Sequence, residues 1–199
     1  MWRLIDLVAA TVGVIVLSPL YVVGFLMVVL DDGFPVFFQQ ERLGKGGNVF
    51  RLLKFRTMYR DAHKRGLITV GGRDPRVTCS GYFLRKSKMD ELPQLFNVIK
   101  GDMSLVGPRP EVQKYVDLYP EDFNYLLKVR PGMTSPASIA FSNENEILSA
   151  QDKPEQYYRE VVLPEKIALD KSCVSNRSLG HYFSVIFQTL GKVASGNKH

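Results

Sequence analysis

The longest uninterrupted apolar run in this chain comes first. Leu7 to Leu30 is 24 residues without a charge, and 15 of them are Leu, Ile, Val or Phe. At roughly −0.3 to −0.6 kcal/mol each, those residues gain about 5 to 9 kcal/mol on entering lipid. The run reads as membrane-embedded, although a buried core helix has the same pattern. A cleaved signal peptide fits poorly, because the run is long, Asp6 lies in its n-region and no small-x-small site precedes Asp31. Ser18-Pro19 falls at the midpoint, where Pro19 removes a backbone donor and a bend is expected. Each half then spans about 18 Å, roughly to the middle of a ~30 Å hydrocarbon core. A kinked span and a re-entrant helix–break–helix both fit. Charge favours the re-entrant form: Arg3 and the basic remainder both belong on the cytoplasmic side, and a straight span cannot place both ends there.

Beyond this run the pattern shortens. Val36 to Gln40 and Val49 to Phe55 read as strands, joined by the turn Gly44-Lys45-Gly46-Gly47-Asn48. Leu92, Leu95, Phe96 and Ile99 share one helix face, with Gly101 as a stop. A helical pattern runs from about Pro154 to Lys171, with an interruption expected at Pro164. Leu179, Tyr182, Phe183, Ile186, Phe187, Leu190 and Val193 share the face of a C-terminal helix. That face suits packing on a core or lying in a membrane interface. The division expected is a membrane helix over 1–32, a catalytic domain over 33–194 and a frayed tail over 195–199.

Charge changes this picture. The net charge is +6, and between Arg42 and Arg65 eight Lys/Arg face one acid, Asp61. A basic segment directly after a membrane segment favours anionic partners: nucleic acid, anionic lipid or phosphorylated small molecules. No RNA- or DNA-binding motif is present, and the membrane segment argues against nucleic acid. Cys79 and Cys173 form neither a metal spacing nor a disulfide framework.

Candidate chemistry is densest from Arg85 to Pro110. Asp90-Glu91 reads first as a helix start, with Asp90 as N-cap, Glu91 in the first turn and Pro93 third. Arg85, Lys86 and Lys88 crowd the same point, while Lys54 and Arg56 supply further cations. Gly107-Pro108-Arg109-Pro110 is a stiff turn presenting one guanidinium, a geometry suited to phosphate. Carboxylates among cations suit phosphoryl chemistry: one attacks phosphorus and its neighbour holds Mg²⁺. The helix start and the cations would keep Asp90 ionised without a raised pKa.

The run Asp90-Glu91-Leu92-Pro93-Gln94, Asn97, Lys100-Gly101-Asp102-Met103-Ser104-Leu105-Val106-Gly107-Pro108-Arg109-Pro110, together with Arg130-Pro131-Gly132, resembles the monotopic phosphoglycosyl transferases, a family of bacterial sugar transferases. Lys54-Phe55-Arg56-Thr57-Met58 and the apolar segment with Ser18-Pro19 match as well. The likeness covers about residues 1–140, and the chain's size resembles the minimal catalytic-unit form.

The resemblance implies a mainly helical α+β fold. It would have a re-entrant membrane helix broken at Ser18-Pro19, a short β-hairpin and interfacial amphipathic helices. It implies a site facing the cytoplasm at the bacterial inner membrane, with Mg²⁺, a UDP-sugar donor and undecaprenyl phosphate as acceptor. Asp90 would be the nucleophile and Glu91 its partner at the metal. Lys54, Arg56, Arg85, Arg109 and Arg130 match positions suited to substrate phosphates. After Gly132 the chain departs from the Thr-Gly-Trp of many members, reading Met133-Thr134-Ser135-Pro136, and this leaves the sugar open along with the oligomeric state. The alternative is a basic membrane-associated adaptor that binds anionic lipid without chemistry.

Overall fold

A computed structural model describes residues 2–60, 62, 74–176 and 178–195. Part of the basic run (61 and 63–65) and most of the tail (196–199) lie outside these residues. Two helices, α1 (Trp2–Val16) and α2 (Ser18–Asp32), open the chain. The hairpin strands β1 (Phe37–Leu43) and β2 (Val49–Phe55) follow, then α3 (Cys79–Lys86), α4 (Gln94–Lys100) and β3 (Ser104–Val106). Next come α5 (Gln113–Val116), α6 (Pro120–Leu126), β4 (Gly132–Thr134), α7 (Pro136–Ala140), α8 (Glu144–Ser149) and α9 (Pro154–Tyr157). Helices α10 (Leu163–Ser175) and α11 (Leu179–Ala194) end the described fold. It is mainly helical α+β, with an antiparallel pair β1–β2 and a parallel pair β3–β4.

The proline acts where expected. Pro19 lies in the first turn of α2, and α1 and α2 meet at 62°. No single helix among the described residues is long and apolar enough to cross a membrane. Each helix has 15 residues, about 22 Å, short of a ~30 Å core. Both expose broad apolar surface, including Leu4, Val8, Val12, Ile15, Val22, Phe25, Leu26 and Leu30.

One side of the pair is nevertheless bound to the domain. Ala10 packs with Phe50, Leu52, Leu95 and Val98, and Val28 packs with Val36, Phe55 and Leu84. At Gly24 the approach is close: a Cβ would lie 2.9 Å from the Phe55 ring. Polar anchors complete the attachment. Arg3 donates to the carbonyls of Val98 and Ile99 at the end of α4, and Tyr21 donates to Leu92 O at 2.7 Å.

Three expectations need correction. The first strand runs Phe37–Leu43 rather than 36–40, because the antiparallel register continues to Leu43 opposite Val49. Pro164 does not interrupt its helix. It sits in the first turn of α10, where no donor is required, and the irregularity is a π-helical turn just before it (Tyr158–Val162). Asp90 is not a helix N-cap, since α4 begins at Gln94 after Pro93. In α11, whose apolar face suited either core or membrane interface, only Tyr182 of that face is fully buried, joined by Val185, while Leu179, Phe183, Phe187, Leu190 and Val193 are exposed. The contact is narrow because α11 meets the fold through this stripe and a Thr134–Thr189 hydroxyl hydrogen bond at 2.6 Å.

Candidate active site

The segment before α4 builds the site through a sharp turn. Lys88 has φ 58° and ψ 12°, the only non-glycine residue at positive φ among those described. A lysine there carries backbone strain, of the kind that persists where surrounding structure enforces it. A single 3₁₀ turn, Met89–Glu91, follows and places both carboxylates. Asn97 then fixes α4 against the hairpin: its Oδ1 accepts from Leu53 N at 2.9 Å, and its Nδ2 donates to Arg51 O at 2.8 Å. The buried Asn97 thereby registers β2 so that Lys54 reaches Glu91.

Glu91 is already committed. Its Oε1 accepts from Lys54 Nζ at 2.7 Å and from Arg109 Nη2 at 3.2 Å. Burial works against its charge, but Lys54 and Arg109 outweigh burial and hold the carboxyl well below the usual range. Arg109 answers in kind, with Glu91 raising its pKa against the opposing effect of burial.

Asp90 differs. It is 7% exposed and accepts no hydrogen bond from any described residue. Burial is the largest influence and raises its pKa. Lys54 pulls it back, Glu91 adds to the rise, and Arg85 and Lys88 oppose it. The expected ionisation without a raised pKa is therefore corrected: the capping contribution is absent, and desolvation exceeds the pull of the cations.

The other predicted residues separate. Arg85 lies within electrostatic reach of both carboxylates, and its Nε donates to Thr57 Oγ1 at 2.9 Å. Arg56 is buried and turned to the end of α2, donating to Asp32 O at 2.7 Å and Gly33 O at 2.8 Å. Arg130 is exposed and donates to Gly101 O at 2.9 Å, in a second cavity whose lining includes neither Asp90, Glu91 nor Lys54. Ser18 and Pro19 are the first residues of α2, directly after the α1–α2 break at Leu17.

One residue of the site was missed. Asp170, buried on α10, accepts from Arg109 N at 2.9 Å and Ala137 N at 3.1 Å. It holds the backbone of the Gly107–Pro110 turn, but an aspartate 61 residues beyond that motif carries no signal in the sequence. The turn itself requires Gly107 and Gly132, where a Cβ would lie 2.5 and 2.1 Å from the opposing backbone.

The sequence is similar to that of known proteins. The family described as "Bacterial sugar transferase" matches residues 1–196. The chain belongs to this family. A Bacillus subtilis (strain 168) protein provisionally named undecaprenyl-phosphate N-acetylgalactosaminyl 1-phosphate transferase is 47% identical over 109 residues, 55% of this chain and 61% of its own length. The exopolysaccharide production protein ExoY of Rhizobium meliloti (strain 1021) is 34% identical over 206 aligned residues, 96% of this chain and 84% of ExoY. An Aeromonas hydrophila protein is named UDP-N-acetylgalactosamine-undecaprenyl-phosphate N-acetylgalactosaminephosphotransferase. It is 40% identical over 140 residues, 69% of this chain but 33% of its own length. The chain thus spans most of ExoY but less than two thirds of the other two.

Proposed function

We propose that this bacterial sugar transferase moves a sugar 1-phosphate from a UDP-sugar to a polyprenol phosphate such as undecaprenyl phosphate, releasing UMP. The observation that carries this reading is the unequal state of two adjacent carboxylates. Glu91 is neutralised by two cations, whereas Asp90 is buried, beside cations, and accepts no hydrogen bond from the described residues. A carboxylate that the fold leaves unengaged is available as a nucleophile. The printed names of two relatives supply the substrate classes.

The chemistry divides into two displacements. An Asp90 oxygen forms a bond to the β-phosphorus as that phosphorus loses its bond to the oxygen bridging to UMP, which departs with the electron pair. An oxygen of the lipid phosphate then attacks the same phosphorus, and Asp90 leaves as carboxylate. Lys54, Arg85 and Arg109, the cations nearest these carboxylates, would offset the phosphate charge. No group of three or more His, Cys, Asp or Glu that could hold a metal occurs among the described residues. Mg²⁺ does not require one, because it accepts few carboxylates completed by phosphate oxygens and water. Glu91, through the oxygen not used by Lys54 and Arg109, and Asp90 fit that role. When bound, Mg²⁺ supplies charge neutralisation at the departing phosphate.

The bent apolar pair α1–α2 supports a re-entrant insertion with both ends and the site on the cytoplasmic face. Cysteines placed at residue 2 and residue 45 should show equal protection from a periplasmic label, and unequal protection would mean a span. The chemical test uses enzyme and donor alone. UMP should be released in at most about one equivalent, leaving a sugar phosphate on the peptide carrying Asp90, and Asp90→Asn should abolish both. Release of UMP only after lipid is added, with no adduct, would rule out the covalent route.

A further inference from the structure

A second polar cavity, of about 100 Å³, opens between the start of α1 and the start of α11. Arg3, Lys45, Lys128 and Arg130 line it from three separate stretches of chain. The hairpin tip is tied to this place, since Gly46 N donates to Leu127 O at 2.8 Å and brings Lys45 beside Lys128. Among the described residues none of the four cations forms an ion pair, in contrast to Lys54, Arg56, Arg109 and Lys166. Asp6, also in the lining, is occupied by donors of its own. His181 Nε2 is buried without a partner in the same lining. Concentrating unpaired cations around a pocket is electrostatically unfavourable until an anion enters.

We propose that this cavity is a second phosphate site, and that its occupant is the headgroup phosphate of an anionic phospholipid from the surrounding bilayer. Its position decides between lipid and free phosphate. Both helices that frame the cavity lead away from it with exposed apolar residues, Leu4 and Val8 on α1 and Leu179 and Phe183 on α11. Trp2 and Tyr182 pack at its edge with ring centroids 5.1 Å apart, an aromatic pair of the kind found at headgroup depth. The site would fix the depth of α1 in the membrane, apart from the chemistry at Asp90. The proposal rests on the membrane reading of α1 and α2.

Retention of lipid by the full chain in detergent, read by native mass spectrometry, tests this. The wild type should retain phosphatidylglycerol over phosphatidylcholine. Lys45→Gln/Lys128→Gln should lose that preference, by roughly fivefold per lysine, while UMP release from donor alone is unchanged. Lys153→Gln/Lys171→Gln, which removes the same charge elsewhere, should retain it. Equal loss in both double variants would reduce the effect to overall charge and overturn the site. Equal retention of both lipids by the wild type would overturn the site while leaving membrane insertion standing. Displacement of phosphatidylglycerol by UMP would overturn the lipid assignment in favour of a soluble phosphate.

Discussion

Asp6 and Asp90 are both buried, at 2% and 7% exposed, and the fold treats them in opposite ways. Asp6 accepts from Ser104 Oγ at 2.8 Å, Leu105 N at 2.9 Å and Tyr182 Oη at 2.6 Å. Its donors come from β3 and α11, so one carboxylate ties α1 to both of those elements. Asp90 sits in a strained turn with cations near it and no donor on it among the described residues. A buried carboxylate whose lone pairs are filled by protein donors holds a fold together; one that described residues do not engage is open to what arrives later.

The largest expected effect separates these roles through activity. Asp90→Asn should lower turnover by roughly 10³-fold or more, since an amide is not a nucleophile toward phosphorus. The melting temperature should hold or rise, because no protein hydrogen bond is lost. Asp6→Ala should do the reverse. It leaves three buried donors unmatched, a loss of about 3 kcal/mol or more, or roughly 10 °C in Tm. Activity assayed well below the new Tm should stay within a fewfold of wild type. A matching collapse of Tm in Asp90→Asn would dissolve the contrast.

The next effect sharpens the comparison within the site. Burial raises the pKa of Asp90, so its charged form costs folding stability, which is lost as pH rises through that value. Glu91 has a lowered pKa, so it contributes stability that is present above its ordinary value of 4.5 and is lost as pH falls through its folded value. In metal-free protein at neutral pH, Asp90→Asn should therefore raise Tm and Glu91→Gln should lower it. Thermal scans of both variants from pH 4 to 8 would show this, and shifts of the same sign would refute the division of roles.

Much of this was legible in the sequence. The apolar run with Ser18-Pro19, the hairpin turn and the stop at Gly101 (φ 104°) depend on local chemistry, and local chemistry is written in neighbouring residues. The carboxylate pair and four of its cations were legible as a composition of charge. Their connections were not. Lys54 and Arg109 stand 37 and 18 residues from Glu91, and nothing local shows that they meet on one oxygen. Asp6 gave only a hint, as the single acid before the apolar run, because its donors lie 98 to 176 residues away. Asp90 resembled a cap because the left-handed Lys88 that displaces it from the helix leaves no mark in a sequence without glycine there.

The smallest effect tests whether Asp6 works as a network or through one dominant bond. Tyr182 donates at the shortest distance, and burial followed by the bond to Asp6 pushes its phenol pKa up, so it stays a donor. Tyr182→Phe removes that donor and keeps the ring against Trp2 and Phe183. The Asp6 carboxylate keeps Ser104 and Leu105, so its charge is not left bare. The loss should be that of one hydrogen bond to a charged group, about 1.5 kcal/mol, or roughly 3 to 6 °C. Combining Tyr182→Phe with Asp6→Ala should then cost less than the sum of the two, since the second change removes a partner already gone. Strict additivity would mean that the hydroxyl and the carboxylate stabilise the fold separately, and that α11 is held by its Val185 stripe rather than through α1.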